Sequence, residues 1–261
     1  MDSPSRVYEL LIDSVATDAR VEEVLIGLTW TLCRADSGIG LAMSPEVQTR
    51  TLPWPGTLVG RRIQDLAPWV RSWSPHEAAV GMAAINAALN PGSPLAARAL
   101  AVAPGTSANL AVFNHFATNV AGQRVAVIGR YPGLDGLDLA WDLTVLERNP
   151  GPGDLPDPAA EFCLAEADWV FLTATSLVNK TFPRLAELSR HASLVLMGPT
   201  TPWLAALRDW GVDYLAGVRV TNGAALRQTV AEGGGTRIFY TGVEYAVSAL
   251  LSHDRVLDGP S

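Results

Sequence analysis

Residues 124–147 read RVAVIGRYPGLDGLDLAWDLTVLE, and this stretch decides the fold. It holds two short apolar runs, Val125–Gly129 and Leu143–Glu147, on either side of a glycine-rich loop. Apolar runs of this length between turn residues are typical of strands that are covered on both faces, as in parallel sheets. The same texture continues to the end of the chain, with further predicted strands at Trp169–Thr173, Leu194–Met197, Tyr214–Val218 and Ile238–Tyr240.

Helical patterns separate these strands, and strand–helix alternation implies a parallel sheet with right-handed crossovers. The predicted helices are Ala159–Ala167, Thr181–His191, Pro202–Trp210, Ala224–Glu232 and Val243–Leu251. Thr201 and Pro202 fit the N-cap and first position of one of them, and Asn179 fits the N-cap of another. The sequence therefore predicts a Rossmann-like α/β domain over residues 124–261.

The first 90 residues have a different pattern, which predicts a small α+β domain. A helical stripe (Val7–Val15) precedes a β-branched run read as one strand, and a second run after the Gly38 turn reads as its hairpin partner. Ser74-Pro75-His76-Glu77 has the capping-box form and opens a helix rich in alanine. The predicted strands and short helix are Val24–Cys33, Ile39–Met43 and Ile63–Val70.

Residues 91–123 read as a connection between the two predicted domains. They begin with a stretch rich in proline, glycine and alanine, which is the best candidate for a domain boundary. A connecting helix is predicted over Ser107–Ala121.

Composition excludes several classes of protein. The net charge of −7, with no basic cluster, argues against nucleic acid as a partner. No apolar run reaches the roughly 20 residues of a membrane helix, and the N-terminus lacks the pattern of a signal peptide. Cys33 and Cys163 lie far apart and read as reduced thiols, so a cytoplasmic location is expected.

Two features of the composition predict a homodimer. The chain has eight tryptophans, and its helix over Ala78–Leu89 consists mostly of small residues that allow close approach. Together they offer more apolar surface than two small cores require.

Ligands of open α/β sheets bind beyond the carboxyl ends of the strands, where loops and helix N-termini converge. The loop 129–133 takes the place of a dinucleotide fingerprint, but it lacks the G-x-G-x-x-G spacing, and Pro132 has no N–H for a pyrophosphate. This argues against a standard NAD site. Glu147 stands where a Rossmann domain holds the ribose carboxylate, although a solvated strand end beside Arg148 explains it equally well.

The next two loops carry hydroxyls, an amide and an amine. The ligand-binding residues selected from all four loops are Gly129, Arg130, Pro132, Glu147, Asn149, Thr175, Ser176, Asn179, Thr181, Gly198, Thr200 and Thr201. Capping alone would also explain Asn179 and Thr201, so both interpretations stay open.

Lys180 is the single lysine of a chain with eighteen arginines. Coding bias explains the excess of arginine, but the surviving lysine stands in the expected first turn of a helix, where the helix dipole opposes a cation. We therefore expect an anionic or carbonyl-bearing ligand there, with Lys180 as the candidate catalytic residue. The alternative is a surface lysine that points to water.

Metal ligation and hydrolysis have little support in the sequence. The histidines, His76, His115, His191 and His253, are scattered, and no C-x-x-C or H-x-x-x-H pair occurs. No G-x-S-x-G elbow is present either.

Long segments resemble a bacterial and archaeal family labelled "putative heavy-metal chelation". They are VAVIGRYPGL (125–134), LTVLERNPGPGDLPDPAAEFCLAEADWVFLTATSLVNKT (143–181), GPTTPW (198–203), WGVDYLAG (210–217) and WSPHEAAVGMAAINAALN (73–90). The resemblance implies an enolase N-terminal-like domain followed by a Rossmann-like domain, and it implies that a metal ion or metal complex is bound. Because soft ligands are few and dispersed here, a metal would come as a complex or be held by oxygen atoms.

The leading hypothesis is a protein that binds a small molecule or metal complex between its two domains, over the carboxyl ends of the strands. The alternative is an enzyme that uses the same cleft, with Lys180 orienting or activating a small anionic or carbonyl substrate. A third possibility is a scaffold whose apolar surface serves self-association. The sequence does not name a cofactor.

Overall fold

The computed structural model describes residues 3–105 and 107–250, which form two sheets. A three-stranded antiparallel sheet has the order β1-β2-β3, and an eight-stranded sheet has the order β4-β11-β10-β9-β8-β5-β6-β7. The strands are β1 Val21–Ile26, β2 Trp30–Ala35, β3 Gly38–Met43, β4 Leu100–Ala101, β5 Arg124–Ile128, β6 Asp142–Glu147, β7 Leu155–Pro156, β8 Trp169–Thr173, β9 Ser193–Met197, β10 Tyr214–Val220 and β11 Val243–Ala249. The predicted fold class, a small α+β unit followed by a mostly parallel α/β sheet, is confirmed.

The helices are short except for one that spans fifteen residues. They are α1 Arg6–Asp13, α2 Ile63–Leu66, α3 Pro75–Leu89, α4 Pro94–Arg98, α5 Ala111–His115, α6 Ala117–Val120, α7 Ala160–Cys163, α8 Thr175–Asn179, α9 Phe182–Leu188, α10 Gly223–Ala231 and α11 Ile238–Thr241. Short 3₁₀ segments occupy Ala67–Arg71, Ala108–Leu110, Leu134–Gly136, Asp157–Ala159, Leu164–Glu166 and Ala205–Trp210.

The small sheet differs from its prediction in one respect, because the run from Val24 to Cys33 is two strands and not one. The chain turns at Gly27, whose N–H donates to the Trp30 carbonyl at 3.0 Å, and Leu28 at the tip is exposed. The hairpin partner β3 is confirmed. The small sheet is thus a three-strand meander.

Helix α3 lies directly on β2 and β3, and its small residues make this possible. A Cβ atom on Gly40 in β3 would lie 2.1 Å from the Ala87 nitrogen, so the strand and helix backbones touch. Pro75 opens α3 as predicted, but the capping box does not form. The Ser74 side chain makes no capping bond, and Glu77 instead accepts a hydrogen bond from the Ser72 hydroxyl at 2.5 Å.

In the large sheet, β5, β6, β8, β9 and β10 are parallel, in agreement with the prediction from residue 124 onward. The last two predicted elements are wrong. Residues 238–241 form helix α11 in place of a strand, and residues 243–249 form strand β11, antiparallel to β10, in place of a helix. Leu251, the predicted end of that helix, lies outside the described residues.

The connecting region also departs from its prediction. Leu100–Ala101 pairs with β11, so residues 91–123 contribute an edge strand to the large sheet. The single connecting helix is instead a 3₁₀ turn followed by α5 and α6, with a break at Phe116. The domain boundaries at residues 90 and 123 stay a prediction.

Two predicted helices of the second half are shorter and more irregular than expected. Residues 157–166 form two 3₁₀ turns around the four-residue α7. The helix expected from Pro202 is a 3₁₀ segment that begins only at Ala205, so Thr201 is not its N-cap. Nowhere in the described residues is a helix both long and apolar enough to cross a membrane.

Candidate functional site

The loops selected from the sequence lie side by side at one edge of the large sheet. Strand β5 is paired with β6 on one side and with β8 on the other, and β8 is paired with β9, all in parallel. The chain therefore leaves these four strands at the same edge, which we call the carboxyl edge.

The charged residues of the carboxyl edge are already paired within the protein. One Glu147 oxygen accepts from the Arg130 backbone N–H at 2.8 Å, and the other accepts from the Asn149 N–H at 3.2 Å. The Arg130 guanidinium forms ion pairs with Asp135 and with Asp154, whose side chain is only 1% exposed. Arg130 and Glu147 thus order the first two loops, and their charges are engaged there.

Tyr131 occupies the centre of the carboxyl edge, although no pattern in the sequence points to it. Its ring packs edge-on against Phe113 at 5.2 Å between ring centroids. Its hydroxyl is buried and has no hydrogen-bond partner within normal distance, although it lies near Thr173. Burial raises the pKa of this phenol well above its usual value, so the hydroxyl remains a proton donor.

Gly129 brings the first loop close to β8. Its φ of +96° lies in the region that favours glycine, and a Cβ atom there would lie 3.1 Å from the Thr173 side chain. The backbone of Gly129, the Tyr131 ring and Thr173 are therefore packed as one group.

A chain of weak donors and acceptors continues from Thr173 toward the small sheet. The Thr173 hydroxyl donates to that of Thr175 at 3.2 Å, and Thr175 donates to Met43 Sδ at 3.4 Å. Met43 is the last residue of β3, so the small unit supplies one wall of the carboxyl edge. Thr173, Thr175, Met43 and Tyr131 are all partly exposed residues.

The turn after β9 binds the small unit, and contact between this turn and a ligand stays a prediction. The Thr200 hydroxyl accepts from the Met43 N–H at 2.9 Å, and the Asn86 amide donates to the Thr200 carbonyl at 2.9 Å and to the Leu41 carbonyl at 2.8 Å. Asn90 donates to the Thr201 carbonyl at 3.1 Å. Gly198, Thr200 and Thr201 are accordingly buried.

Three buried side-chain oxygens near the contact between the small unit and the large sheet lack a protein hydrogen-bond partner. They are Asn86 Oδ1, Ser176 Oγ and Thr201 Oγ1, on residues that are at most 1% exposed. Buried polar atoms are seldom left without a hydrogen bond. Ser176 and Thr201 therefore remain candidates for contact with a bound molecule.

The expectation that Lys180 stands in the first turn of a helix is wrong. Lys180 follows the last turn of α8, in a left-handed conformation with φ +67°, and Thr181 N–H donates to the Ser176 carbonyl to close that helix. Its ammonium donates to the Val178 carbonyl at 2.9 Å, so the helix dipole favours the cation. Asn179 is an exposed residue of α8 and caps no helix N-terminus.

The described residues do not fit a bare metal ion held by protein ligands, since no group of three or more His, Cys, Asp or Glu side chains comes together among them. Cys33 lies in the core, where burial raises the pKa of its thiol to about 12. His115 packs edge-on against Phe116 at 4.9 Å, and burial lowers its pKa. His253 lies outside the described residues.

A cavity of about 180 Å³ lies at the opposite end of the sheet. It is lined by Arg124, Val125, Ala126, Asp142, Thr144, Phe162, Cys163, Glu166 and Ala167. These residues belong to the amino ends of β5 and β6 and to the segment before β8. None of the residues selected from the sequence lines this cavity, and Arg124 in its wall forms an ion pair with Asp168 at 2.9 Å.

Solved structures with the same fold cover nearly the whole chain. A protein of unknown function from the DUF364 family of Desulfitobacterium hafniense is 33% identical, with a TM-score of 0.81 over 94% of this chain and 98% of that chain. Another of unknown function from the same family, from Pyrococcus horikoshii, is 24% identical, with a TM-score of 0.76 over 94% and 99%. The second likeness shows the fold alone.

Sequence comparisons agree with the structural ones. An uncharacterized protein of Methanocaldococcus jannaschii is 32% identical over 85 residues, which are 31% of this chain and 33% of that protein's length. Family models described as "Putative heavy-metal chelation" match residues 8–89 (DUF4213) and residues 111–249 (DUF364). The chain therefore belongs to the family described as "Putative heavy-metal chelation".

Proposed function

We propose that the protein binds a small molecule, alone or as the organic part of a metal complex, at the carboxyl edge. The walls of the site are Tyr131, Thr173 and Thr175 from the large sheet and Met43 from the small unit. The observation that carries the proposal is the hydroxyl of Tyr131, a buried donor without a partner, beside the connected hydroxyls of Thr173 and Thr175. In ligand sites, a few such polar groups fix the orientation of the bound molecule.

The chemistry of these walls selects the kind of ligand. Because Arg130 and Glu147 are engaged with protein groups, the site offers hydroxyls and a thioether rather than free charge. Such a site suits a neutral, acceptor-bearing molecule. A metal would have to bring most of its own ligands, since Met43 Sδ is the soft atom at this edge.

Lys180 is not part of the proposed site. Its ammonium is held at the end of α8 that lies away from Thr175, on a carbonyl of its own helix. The alternative in which Lys180 activates a substrate over the strand ends would need this side chain to leave that carbonyl.

Native mass spectrometry and elemental analysis of freshly purified protein test the proposal. We expect a bound mass, with or without a metal, that is lost or weakened several-fold in Tyr131→Phe and Thr173→Val, because each variant removes one hydrogen bond worth about 1 kcal/mol. Thr118→Val is the control for Thr173→Val, since Thr118 is exposed and lies in α6, before the amino end of β5 and thus away from this edge. Equal retention in all variants, or wild-type protein that carries nothing, would speak against the site.

A further inference from the structure

Lys180 has a backbone conformation that is unusual for a lysine. Its φ of +67° belongs to the left-handed region, where helices commonly end on glycine or asparagine. A residue with a Cβ atom costs about 1 kcal/mol there. The chain also uses arginine for every other cation, although arginine would serve equally well on a helix C-terminus. Both facts favour a role for the amine of Lys180 itself.

The surroundings of this amine are apolar. Nζ lies over the Tyr8 ring, 5.4 Å from its centroid, and bonds only to the Val178 carbonyl. No carboxylate of the described residues forms an ion pair with it. Burial therefore lowers the pKa of Lys180 to about 8, and about a tenth of the amines are neutral at pH 7. Lys180 remains partly exposed, so a small molecule can reach it.

Tyr8 adds a second group to this position. The residue is 6% exposed, and its hydroxyl is buried with no hydrogen-bond partner. Burial raises the pKa of the phenol well above its usual value, so it stays protonated and can only donate. A buried donor without an acceptor, on the same side chain that supports the amine, favours a ligand that brings an oxygen atom.

We propose that Lys180 and Tyr8 form a second binding site, separate from the carboxyl edge, that captures a small aldehyde as an imine on Lys180 Nζ. The nitrogen lone pair adds to the carbonyl carbon, and a carbinolamine forms as the carbonyl oxygen takes a proton. That oxygen then leaves as water with both protons of the neutral amine, and a C=N bond remains. The Tyr8 hydroxyl donates a hydrogen bond to the oxygen during the addition. No oxidant or reductant takes part.

The probe for this site is pyridoxal, a neutral aromatic aldehyde, followed by reduction with borohydride and peptide mapping by mass spectrometry. The chain suits this experiment because Lys180 is its single lysine, so the α-amine is the internal competitor. At pH 7 we expect one pyridoxyl group on the peptide that contains residue 180. Its formation should be at least about tenfold faster than on Nα-acetyl-lysine, since a larger fraction of the amine is neutral.

Variants separate the nucleophile from its surroundings. Lys180→Arg should abolish the label on the peptide that contains residue 180 while the protein stays folded. Tyr8→Phe keeps the ring and the burial of the amine, so it should leave the titration of Nζ unchanged but slow labelling several-fold. Tyr240→Phe should change neither.

Labelling confined to the α-amine, or labelling of Lys180 no faster than free lysine, would overturn the proposal. Lys180 would then be a helix cap stacked on an aromatic ring. A label that forms equally fast in Tyr8→Phe would remove Tyr8 from the site. The proposed function at the carboxyl edge is unaffected by either result, because it uses neither residue.

Discussion

At the level of single residues, the sequence can point to an unusual side chain, but its surroundings depend on the conformation of the backbone. Lys180 stands out in the sequence because it is the single lysine, and this holds whatever conformation its backbone adopts. Its surroundings could not be predicted, because the five-residue α8 opens with Thr175 and Ser176, which also favour turns. Lys180 accordingly follows the end of helix α8, whereas the sequence predicted that a helix begins there. The contact of Lys180 with Tyr8 could not be predicted from a local pattern, because the two residues lie far apart in the sequence.

The burial of Lys180 predicts how stability depends on pH. The folded protein holds this proton less tightly than the unfolded chain does, because its pKa falls from 10.5 to about 8. Between these values the unfolded state binds more protons, so this group makes the protein more stable as pH rises from about 8 to 10.5. Partial exposure limits the gain to about 1 kcal/mol.

Urea unfolding of wild type and Lys180→Met at pH 7.5 and pH 10 measures this effect. We expect the stability of wild type relative to the variant to increase with pH. The buried tyrosines and Cys33 titrate in both proteins, so their contributions to the pH dependence cancel when the two free energies of unfolding are subtracted. A difference that is constant or falls with pH would show that the amine is not desolvated.

At the level of elements, the sequence predicts the parallel strands of the large sheet but assigns the antiparallel strand β11 to a helix. In β11, Val243, Tyr245 and Val247 pack into one core and Ala246 into the other. This arrangement blurs the alternation and resembles a helical stripe, but the spacing of the three large residues was a usable signal. Some helices were predicted too long, because tertiary contacts divide them into short 3₁₀ segments that the periodicity of the sequence does not predict.

Helix α3 holds the two sheets together through one side chain that the sequence analysis passed over. Asn86 is fully buried in the alanine-rich stretch INAAL, and a lone amide there was the signal. Its bonds to Leu41 and Thr200 join the small sheet to the turn after β9. The walls of the carboxyl edge therefore have fixed relative positions.

We expect Asn86→Ala to lower the free energy of unfolding by about 3 kcal/mol. The change leaves the Leu41 and Thr200 carbonyls buried without their donor, and it opens a cavity. Asn179→Ala is the control, since Asn179 is exposed on another helix. Denaturant unfolding measures both, and a loss as small as that of the control would mean that α3 does not fasten the sheets.

For the whole molecule, parallel topology was sufficient to predict which loops meet. The hydrogen bonds between those loops were not predictable, because Arg130 finds Asp154 and Thr200 finds Met43 across long sequence distances. Consequently the sequence located the loops of the carboxyl edge but did not show which of their side chains are paired within the protein. Because Arg130 and Glu147 are paired with protein groups, Tyr131 and Thr173 are the side chains that this edge offers to a ligand.

The homodimer stays a prediction, and its original support is reduced. The small residues of α3 pack inside the chain, and of the eight tryptophans only Trp73, at 85% exposure, is exposed rather than buried or partly buried. Phe162, at 81%, and Tyr240, at 65%, are other exposed aromatic side chains.

Light scattering at micromolar concentrations tests the homodimer. We expect twice the chain mass of 27.7 kDa, that is about 55 kDa. Trp73→Ser should shift the equilibrium toward monomer if that ring is buried between copies, and Tyr240→Phe should not. A mass of one chain at every concentration would contradict the prediction.

Both outer strands of the large sheet, β4 and β7, are only two residues long. A long bare edge is a template on which strands of other molecules can add without end, and such growth leads to fibres. Here each edge offers a foreign strand too few backbone groups for a stable ladder, and Pro156 removes one donor from β7. Assembly by extension of the large sheet is therefore disfavoured, whereas side-chain surfaces can close on themselves and stop at a defined number of copies.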